Sequence, residues 1–344
     1  MKTKQLCALL LVAVMAFALT GCIGNLYENA LTIDGTEISS GLYLMAQFTA
    51  YNEARSKVED AEKDVLKQKI DGQSATAWIR ERAEELCLKY VAVQRLCREK
   101  GITLSYEGQQ SIEQMMQYWT YLEELYTENG ISEGTLRRYA TNEELSSQLF
   151  MALYGKDGEL ASPDSEMMAE YAESHAHIRY LIIPTTPLEG DADVSGDVNA
   201  AVQDLLLLLQ GGKTLEEVAV EDLPWVYDLM GRTYDVETAA DSVTDSYIGY
   251  EQDNYETYTE EFLQELKAQS VGDYGLYAYS TTLLLYQKVT PFADAEEFDA
   301  MRGTVVSALK TDAYEEYLRS VYEAYPVNWV FGSRTYLSPG KIEY

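Results

Sequence analysis

The chain has 344 residues, with 57 acidic against 26 basic side chains and a formal net charge of −31 at pH 7. A surface this negative repels nucleic acid and anionic lipid headgroups, so the composition excludes nucleic-acid binding and favours basic partners or plain solubility. The length is sufficient for two domains.

The first residues predict export from the cytoplasm. Two lysines precede an apolar run over residues 6–19, which ends in Leu19-Thr20-Gly21-Cys22. This run is too short for a spanning helix and is typical of a signal peptide. Its end resembles the lipobox of bacterial lipoproteins, which implies a signal peptide over 1–21, a lipid-modified Cys22 and a tether over 22–30. An ordinary signal peptide with a chance cysteine is the alternative.

If Cys22 is lipidated, several acyl chains on one residue give durable attachment. We then expect the mature chain on the outer face of the bacterial cytoplasmic membrane. Beyond this segment, Cys87 and Cys97 are the remaining cysteines. They lie about 15 Å apart on one predicted helix, beyond the reach of a disulfide, and are expected to be buried thiols.

The first half of the mature chain predicts a small hairpin followed by helices. The hairpin is expected over 31–38, where apolar residues alternate around an Asp-Gly turn. Serine caps and apolar residues at spacings of three and four mark the helices that follow. These helices are predicted over 42–69, 74–100, 105–128, 132–154 and 163–174.

The periodicity changes at His175. Residues 175–184 are rich in strand formers and predict a buried strand, and a second strand is expected over 282–289. Between them the sequence predicts a helix over 197–210, a capping box from Thr214 to Glu217, and a short helix after Thr259. Residues 222–257 show weak periodicity. A long amphipathic helix over 294–325 needs a partner surface, which the N-terminal helices offer.

The order of these elements resembles the PrsA/SurA class of parvulin-type foldases. The resemblance is carried by Ile33-Asp34-Gly35-Thr36-Glu37-Ile38, Glu170-Tyr171, Ala176-His177-Ile178, Leu181, 215–218, Glu261-Phe262, Val271-Gly272 and Lys288-Val289-Thr290. It implies an α+β fold in which a mainly helical chaperone domain is formed by both chain ends. A small parvulin-like α/β domain is inserted between them, and the clients are unfolded or newly exported polypeptides.

The resemblance also implies domain boundaries. The N-terminal helical chaperone domain covers 31–174, the parvulin-like domain covers 175–291, and the C-terminal helix over 292–326 completes the helical domain. Residues 327–344 are left as a tail.

The expected isomerase site is incomplete. Parvulins act through a small polar cluster, two histidines among them, beside an apolar proline pocket. The resemblance places His177 at the first histidine and Leu285 where the second belongs, and His175 is the only other histidine in the chain. Tyr258 and Phe262 are candidate substrate-binding residues of the pocket. A packed or surface histidine is the alternative for His177, so we expect weak or lost isomerase activity.

Two other patterns in the sequence bear on metal binding and hydrolysis. Residues 191–199 follow the opening of a calcium loop, with Gly196 at the turn, but the twelfth position is Val202 rather than a carboxylate, and a solvated loop is the alternative. The letters Gly-x-Ser-x-Gly occur at 130–134, but they follow a predicted helix rather than a strand and so do not form a nucleophile elbow, which argues against a hydrolase. We expect no cofactor and no metal.

Three functions follow from this pattern. The first is a membrane-tethered chaperone with little or no catalysis. The second is an active prolyl isomerase whose cluster is rebuilt around His177, and the third is a surface binding or scaffold lipoprotein. The sequence leaves the client and the oligomeric state open.

Overall fold

The computed structural model describes residues 27–187, 194–251 and 257–344. The described residues divide into two compact units: those of 27–161 together with 310–344 form the first, and those of 162–309 form the second. The predicted signal peptide and Cys22 lie outside the described residues. Helices and antiparallel sheets are both present, and the α+β class is confirmed.

The described residues form helices in both units. They are α1 Ser40–Arg55, α2 Ala75–Lys100, α3 Tyr106–Met116, α4 Trp119–Glu128, α5 Glu133–Tyr154, α6 Asp164–Ser174, α7 Ser195–Gln210, α8 Leu215–Glu217, α9 Leu223–Leu229, α10 Glu260–Ala268, α11 Ala295–Tyr322 and α12 Ser333–Tyr336. A π-helical turn, Val218–Asp222, joins α8 to α9. Within the described ranges, none of the helices is both long and apolar enough to cross a membrane.

The strands form three antiparallel sheets in the described part of the chain. They are β1 Asn29–Ile33, β2 Thr36–Ser39, β3 Lys69–Ile70, β4 Gln73–Ser74, β5 His175–Pro184, β6 Thr244–Gly249, β7 Tyr274–Tyr279, β8 Thr282–Val289 and β9 Val327–Trp329. The first unit holds the sheet β2-β1-β9 and the hairpin β3-β4. The second unit holds a four-stranded sheet in the order β6-β5-β8-β7.

Hydroxyl side chains begin many of the helices, as the sequence predicts. Each accepts a hydrogen bond from a backbone N–H of the first turn, which satisfies a group that has no partner within the helix. These residues are Ser39, Ser74, Ser105, Ser132, Thr214 and Thr259. Thr214 and Glu217 complete the predicted capping box.

Two predicted helices are wrong in extent. The helix predicted over 42–69 ends at Arg55, because the aspartates that follow hydrogen-bond the backbone locally: Asp60 accepts from Glu62 N, and Asp64 accepts from Leu66 N. Such side-chain turns compete with helix. The single helix predicted over 105–128 is split at Gln117 and Tyr118 into α3 and α4.

The segment predicted as a tail is part of the first unit. Strand β9 pairs with β1, and Leu337 and Ile342 are buried in the hydrophobic core. The side chain of Asn129 accepts from the backbone N–H of Glu343 and donates to its carbonyl. Residues 327–344 are therefore a structural element, which the sequence pattern did not indicate.

The two cysteines of α2 are free and buried, as predicted. Cys87 lies in the core of the first unit, and burial raises the pKa of its thiol. A thiol held in its protonated form is a poor nucleophile, which indicates a packing role.

The sheet of the second unit has two covered faces. Alternate side chains of β5 point to opposite sides, as the two-residue period of a strand requires. One face packs against α10 and includes Ala176, Ile178, Ile248, Phe262, Leu263, Leu266 and Tyr286. The other packs against α7 to α9 and includes Leu181, Ile183, Val198, Val202, Leu205, Leu283 and Leu285. His177 and Arg179 share the parity of Leu181 and lie on this second face.

Candidate functional site

A cavity of about 850 Å³ opens within the second unit. Strands β5, β6 and β8 and the first half of α11 supply its wall. Its lining residues are Tyr171, His177, Arg179, Asp245, Ser246, Tyr247, Val289, Thr290, Ala293, Glu297, Met301 and Thr304. A cluster of titratable side chains therefore faces a largely apolar pocket.

His177 lies at the centre of this cluster. The sheet register places it opposite Tyr247 on β6 and opposite Val289 on β8. Its ring stacks on Tyr247, with centroids 4.3 Å apart and an interplanar angle of 11°. Nε2 lies 3.2 Å from Asp245 Oδ1, and Nδ1 lies 3.4 Å from Glu297 Oε1. Both ring nitrogens thus face oxygen acceptors.

Tyr247 connects the cluster to the start of α11. Its hydroxyl donates to Glu297 Oε1 at 2.6 Å and accepts from the backbone N–H of Phe292 at 3.0 Å. Glu297 Oε2 in turn accepts from Ala293 N at 2.7 Å. Desolvation, reinforced by the bond to Glu297, raises the pKa of Tyr247, which keeps the phenol protonated as the donor.

The wall of the cavity carries excess negative charge. Arg179 is its one cationic side chain that is always charged, and it already forms an ion pair with Glu216. Its Nε also lies 3.5 Å from Asp245 Oδ1. Because Glu216 neutralises Arg179, the carboxylates of Asp245 and Glu297 leave the cavity acidic.

The structure brings the predicted site residues Tyr258 and Phe262 together but places both of them apart from His177. Phe262 is buried in the core of the α10 face, where it stacks on Tyr277 at 4.0 Å and on Tyr258 at 5.5 Å. His177 lies on the opposite face of the same sheet. Leu285 shares the face of His177 but is fully buried in the core under α7, away from the cavity lining.

His175, the other histidine of the chain, is not among the residues that line the cavity. Its ring stacks on Tyr171 with centroids 3.8 Å apart, and its Nδ1 lies 2.9 Å from the Ser174 hydroxyl. Desolvation lowers the pKa of His175, so the neutral form is favoured in the folded chain.

The calcium-loop motif falls partly outside the described residues, which omit 191–193. Its second half, from Ser195, forms the first turns of α7 rather than a loop, and Gly196 is in that helix without a positive φ. Among the described residues, no group of three or more His, Cys, Asp or Glu side chains is arranged to hold a metal ion.

A second pocket, of about 400 Å³, lies in the first unit and is referred to here as the groove. Helices α1, α3, α4 and α5 form its walls. It is lined by Met45, Ser111, Ile112, Met115, Tyr118, Leu122, Tyr126, Leu136, Tyr139, Ala140, Glu143 and Glu144. Tyr118 is 64% exposed, so this groove carries an aromatic residue that is open to solvent.

Sequence reasoning identified His177 but not its carboxylate partners. Asp245 and Tyr247 lie on a strand that was not predicted, and they reach His177 only through pairing between distant segments. Glu297 could have been singled out from the sequence, because Asp294-x-x-Glu297 is a capping pattern at the start of the helix predicted over 294–325. The backbone N–H groups of Glu296 and Glu297 donate to Asp294 Oδ1, as expected of that cap.

No family model matches the chain, and no curated protein matches it. Several solved structures do match the chain. PrsA from Bacillus subtilis is 13% identical, with 78% of this chain and 91% of that chain covered and a TM-score of 0.32. The foldase protein PrsA from Streptococcus pneumoniae is 10% identical, with coverages of 82% and 94% and a TM-score of 0.38.

A third match, with 10% identity and a TM-score of 0.27, is a structure of SurA-like chaperones from Campylobacter jejuni. It covers 88% of this chain and 99% of that one. At these identities and TM-scores, we base the function on the residues of this chain. These three solved structures are of PrsA foldases and SurA-like chaperones, the class that the order of elements in the sequence resembles.

Proposed function

We propose that the chain is an extracytoplasmic chaperone of the foldase type, anchored through a lipidated Cys22, that binds unfolded or newly exported polypeptides. The observation that carries the proposal is the groove of the first unit. It presents methionine and aromatic side chains on an open surface, and it lies in a strongly acidic chain.

The chemistry of the groove suits varied, unfolded clients. Methionine side chains adapt to irregular apolar partners, and tyrosine offers a large rigid surface with a polar tip at little entropic cost. Tyr121, on the same α4 helix as the groove residues Leu122 and Tyr126, is 84% exposed. Exposed apolar surface of this kind typically marks an interaction site. The acidic Glu143 and Glu144 in the lining favour basic clients.

An aggregation assay tests this proposal. The purified protein should suppress the aggregation of a chemically unfolded protein, more strongly for a basic client than for an acidic one. Added salt should weaken that preference by screening and leave the apolar part of the binding in place.

Groove variants make the assay specific. Substituting Met115→Ser together with Tyr118→Ser should reduce the suppression, because both side chains line the groove. The matched control is Phe331→Ser, which removes a 98% exposed aromatic of the same unit that does not line the groove, and it should act like the unmodified protein. If aggregation proceeds unaltered at several-fold excess of well-folded protein, and no unfolded chain binds, the chaperone proposal is wrong and a surface scaffold lipoprotein is favoured.

Peptidyl-prolyl isomerisation is the second candidate function. The observation that favours it is the cavity of the second unit, where His177, Asp245, Tyr247 and Glu297 form a polar cluster beside an apolar wall. These groups are hydrogen-bonded or paired mainly with one another. Leu285, which stands where the second histidine is expected, is buried in the core and does not line the cavity. We therefore propose weak or lost activity.

A test peptide with a single prolyl bond distinguishes the two candidates. We expect little or no acceleration of its isomerisation by the purified protein. A rate enhancement comparable to that of an intact parvulin, lost on His177→Ala, would establish the enzyme and contradict the proposal of weak activity.

A further inference from the structure

The cavity of the second unit has a charge pattern that the chaperone proposal does not use. Of its carboxylates, Glu297 is engaged on both oxygens, by the Tyr247 hydroxyl and by Ala293 N. Asp245 differs, because its contacts to His177 and Arg179 both involve Oδ1. Its side chain is also 55% exposed, so Oδ2 is available to a cation that enters the cavity.

We propose that this cavity binds an extended peptide segment in which a lysine or arginine stands beside an apolar residue, with Asp245 as the residue that recognises the cation. The site lies in the second unit and the groove in the first, so the proposal goes beyond the client binding proposed above.

The cavity lining supports a side chain with an apolar stem and a cationic end. Val289, Ala293 and Met301 provide an apolar wall, and they share the lining with Asp245. Lysine and arginine place their methylene groups on apolar surface while the charged end reaches a polar partner. The one guanidinium in the lining, on Arg179, is already paired with Glu216 and does little to repel a second cation.

The backbone beside the cavity favours a peptide over a free amine. Strand β6 carries Asp245 and is an edge strand of the sheet, because among the described residues of this unit it pairs only with β5. An edge strand presents unpaired N–H and C=O groups, to which an extended peptide can add as a further strand. Ser246 of β6 also lines the cavity, so this strand borders the space that the peptide would enter.

Matched peptides test the proposal by fluorescence anisotropy with the purified protein. The two probes are labelled hexapeptides of alanine and leucine that differ at one position, lysine in one and norleucine in the other. At low salt we expect the lysine peptide to bind about five-fold more tightly, the size of a partly exposed ion pair, and added salt should reduce the difference.

Variants of the protein test whether Asp245 in the cavity recognises the lysine side chain. Asp245→Asn should abolish the preference for lysine, whereas Asp241→Asn, an exposed carboxylate of the same unit outside the cavity lining, should retain it. Thr304→Lys places a cation in the wall on α11 and should weaken the lysine peptide more than the norleucine peptide. Free lysine amide at the same concentration should not compete, because it cannot add to β6.

Equal affinity of the two peptides for the unmodified protein, or the absence of binding by both, would overturn the proposal. Retention of the lysine preference in both Asp245→Asn and Thr304→Lys would also overturn it, as would full competition by free lysine amide. These outcomes are independent of the aggregation assay, which reports on the groove through Met115 and Tyr118.

Discussion

At the scale of single residues, Tyr247 holds the cavity cluster together. Its ring supports His177 by stacking, and its hydroxyl bridges Glu297 and the backbone N–H of Phe292. The cluster therefore joins strand β6 to the segment that begins α11. A group with this many partners contributes to stability as well as to the shape of the site.

Tyr247→Phe should lower the free energy of unfolding by about 1–3 kcal/mol, because it removes the hydroxyl that donates to Glu297 Oε1 and accepts from Phe292 N. Urea denaturation measures the change. The control is Tyr279→Phe on the exposed edge of β7, which should cost less than about 0.5 kcal/mol. Equal losses for the two variants would show that the hydroxyl of Tyr247 carries no structural role.

His175 predicts a pH dependence of stability. Its folded-state pKa is lowered by desolvation, so protonation favours the unfolded chain. At a pH above the unfolded-state pKa of about 6.5, the ring is neutral in both states and its titration does not affect the free energy of unfolding. As the pH falls below that value towards the folded-state pKa, the unfolded chain binds the proton first and the free energy of unfolding decreases. The free energy of unfolding should therefore decrease between pH 7 and pH 5 as this residue titrates.

The variant His175→Phe keeps a ring against Tyr171 but removes the titration. Its free energy of unfolding should decrease less between pH 7 and pH 5 than that of the unmodified protein, as measured by urea denaturation at each pH. The same decrease in both proteins, or a larger one in the variant, would contradict the assignment.

At the scale of elements, the sequence predicts helix starts better than it predicts edge strands. A cap is local: a serine or threonine and the first turn of the helix suffice, which is why Ser74, Ser105 and Thr259 were identified correctly. Strand β6 has no regular alternation and acquires its structure by pairing with β5. The register that joins Asp245 and Tyr247 to His177 follows from that pairing, so the composition of the site could not be predicted from the sequence.

The packing of β7 on β8 gives an element-scale prediction. A Cβ at Gly275 would lie 2.3 Å from the hydroxyl and ring of Tyr286, which is buried and hydrogen-bonded to Gln269. Because this ring cannot withdraw freely, Gly275→Ala should destabilise the second unit by about 1–3 kcal/mol, as overpacking does.

The control for this substitution is Gly303→Ala in α11, where a Cβ meets open space. It should stabilise the protein by up to about 1 kcal/mol, because alanine favours helix over glycine. Thermal or urea unfolding of both variants checks the pair. A neutral Gly275→Ala would contradict the packing described for β7.

At the scale of the whole molecule, the division into two units and the net charge determine the surroundings that a bound client would meet. The first unit is made from both ends of the chain, and the second from the residues between them. The net charge of −31 gives any bound client an acidic environment. The proposed lipid on Cys22 would hold this acidic chain at the membrane face, where it would meet newly exported polypeptides.

Attachment is tested by Cys22→Ala. The variant should be released from membranes or remain unprocessed, because the lipid is the proposed anchor. Cell fractionation with mass measurement of the mature protein checks this, and Cys87→Ala, which alters a buried thiol of α2, is the control. A Cys22→Ala protein that is processed normally and stays firmly membrane-bound would contradict the anchor.

The proposed function requires that unfolded chains bind in the groove of the first unit. Photo-crosslinking with a benzophenone side chain at position 118, inside the groove, or at position 331, exposed but outside its lining, tests this most directly. We predict adducts with an unfolded basic client at position 118, few at position 331, and none with the same client in its folded form. Equal crosslinking at both positions, or none at position 118, would show that unfolded clients do not bind in the groove.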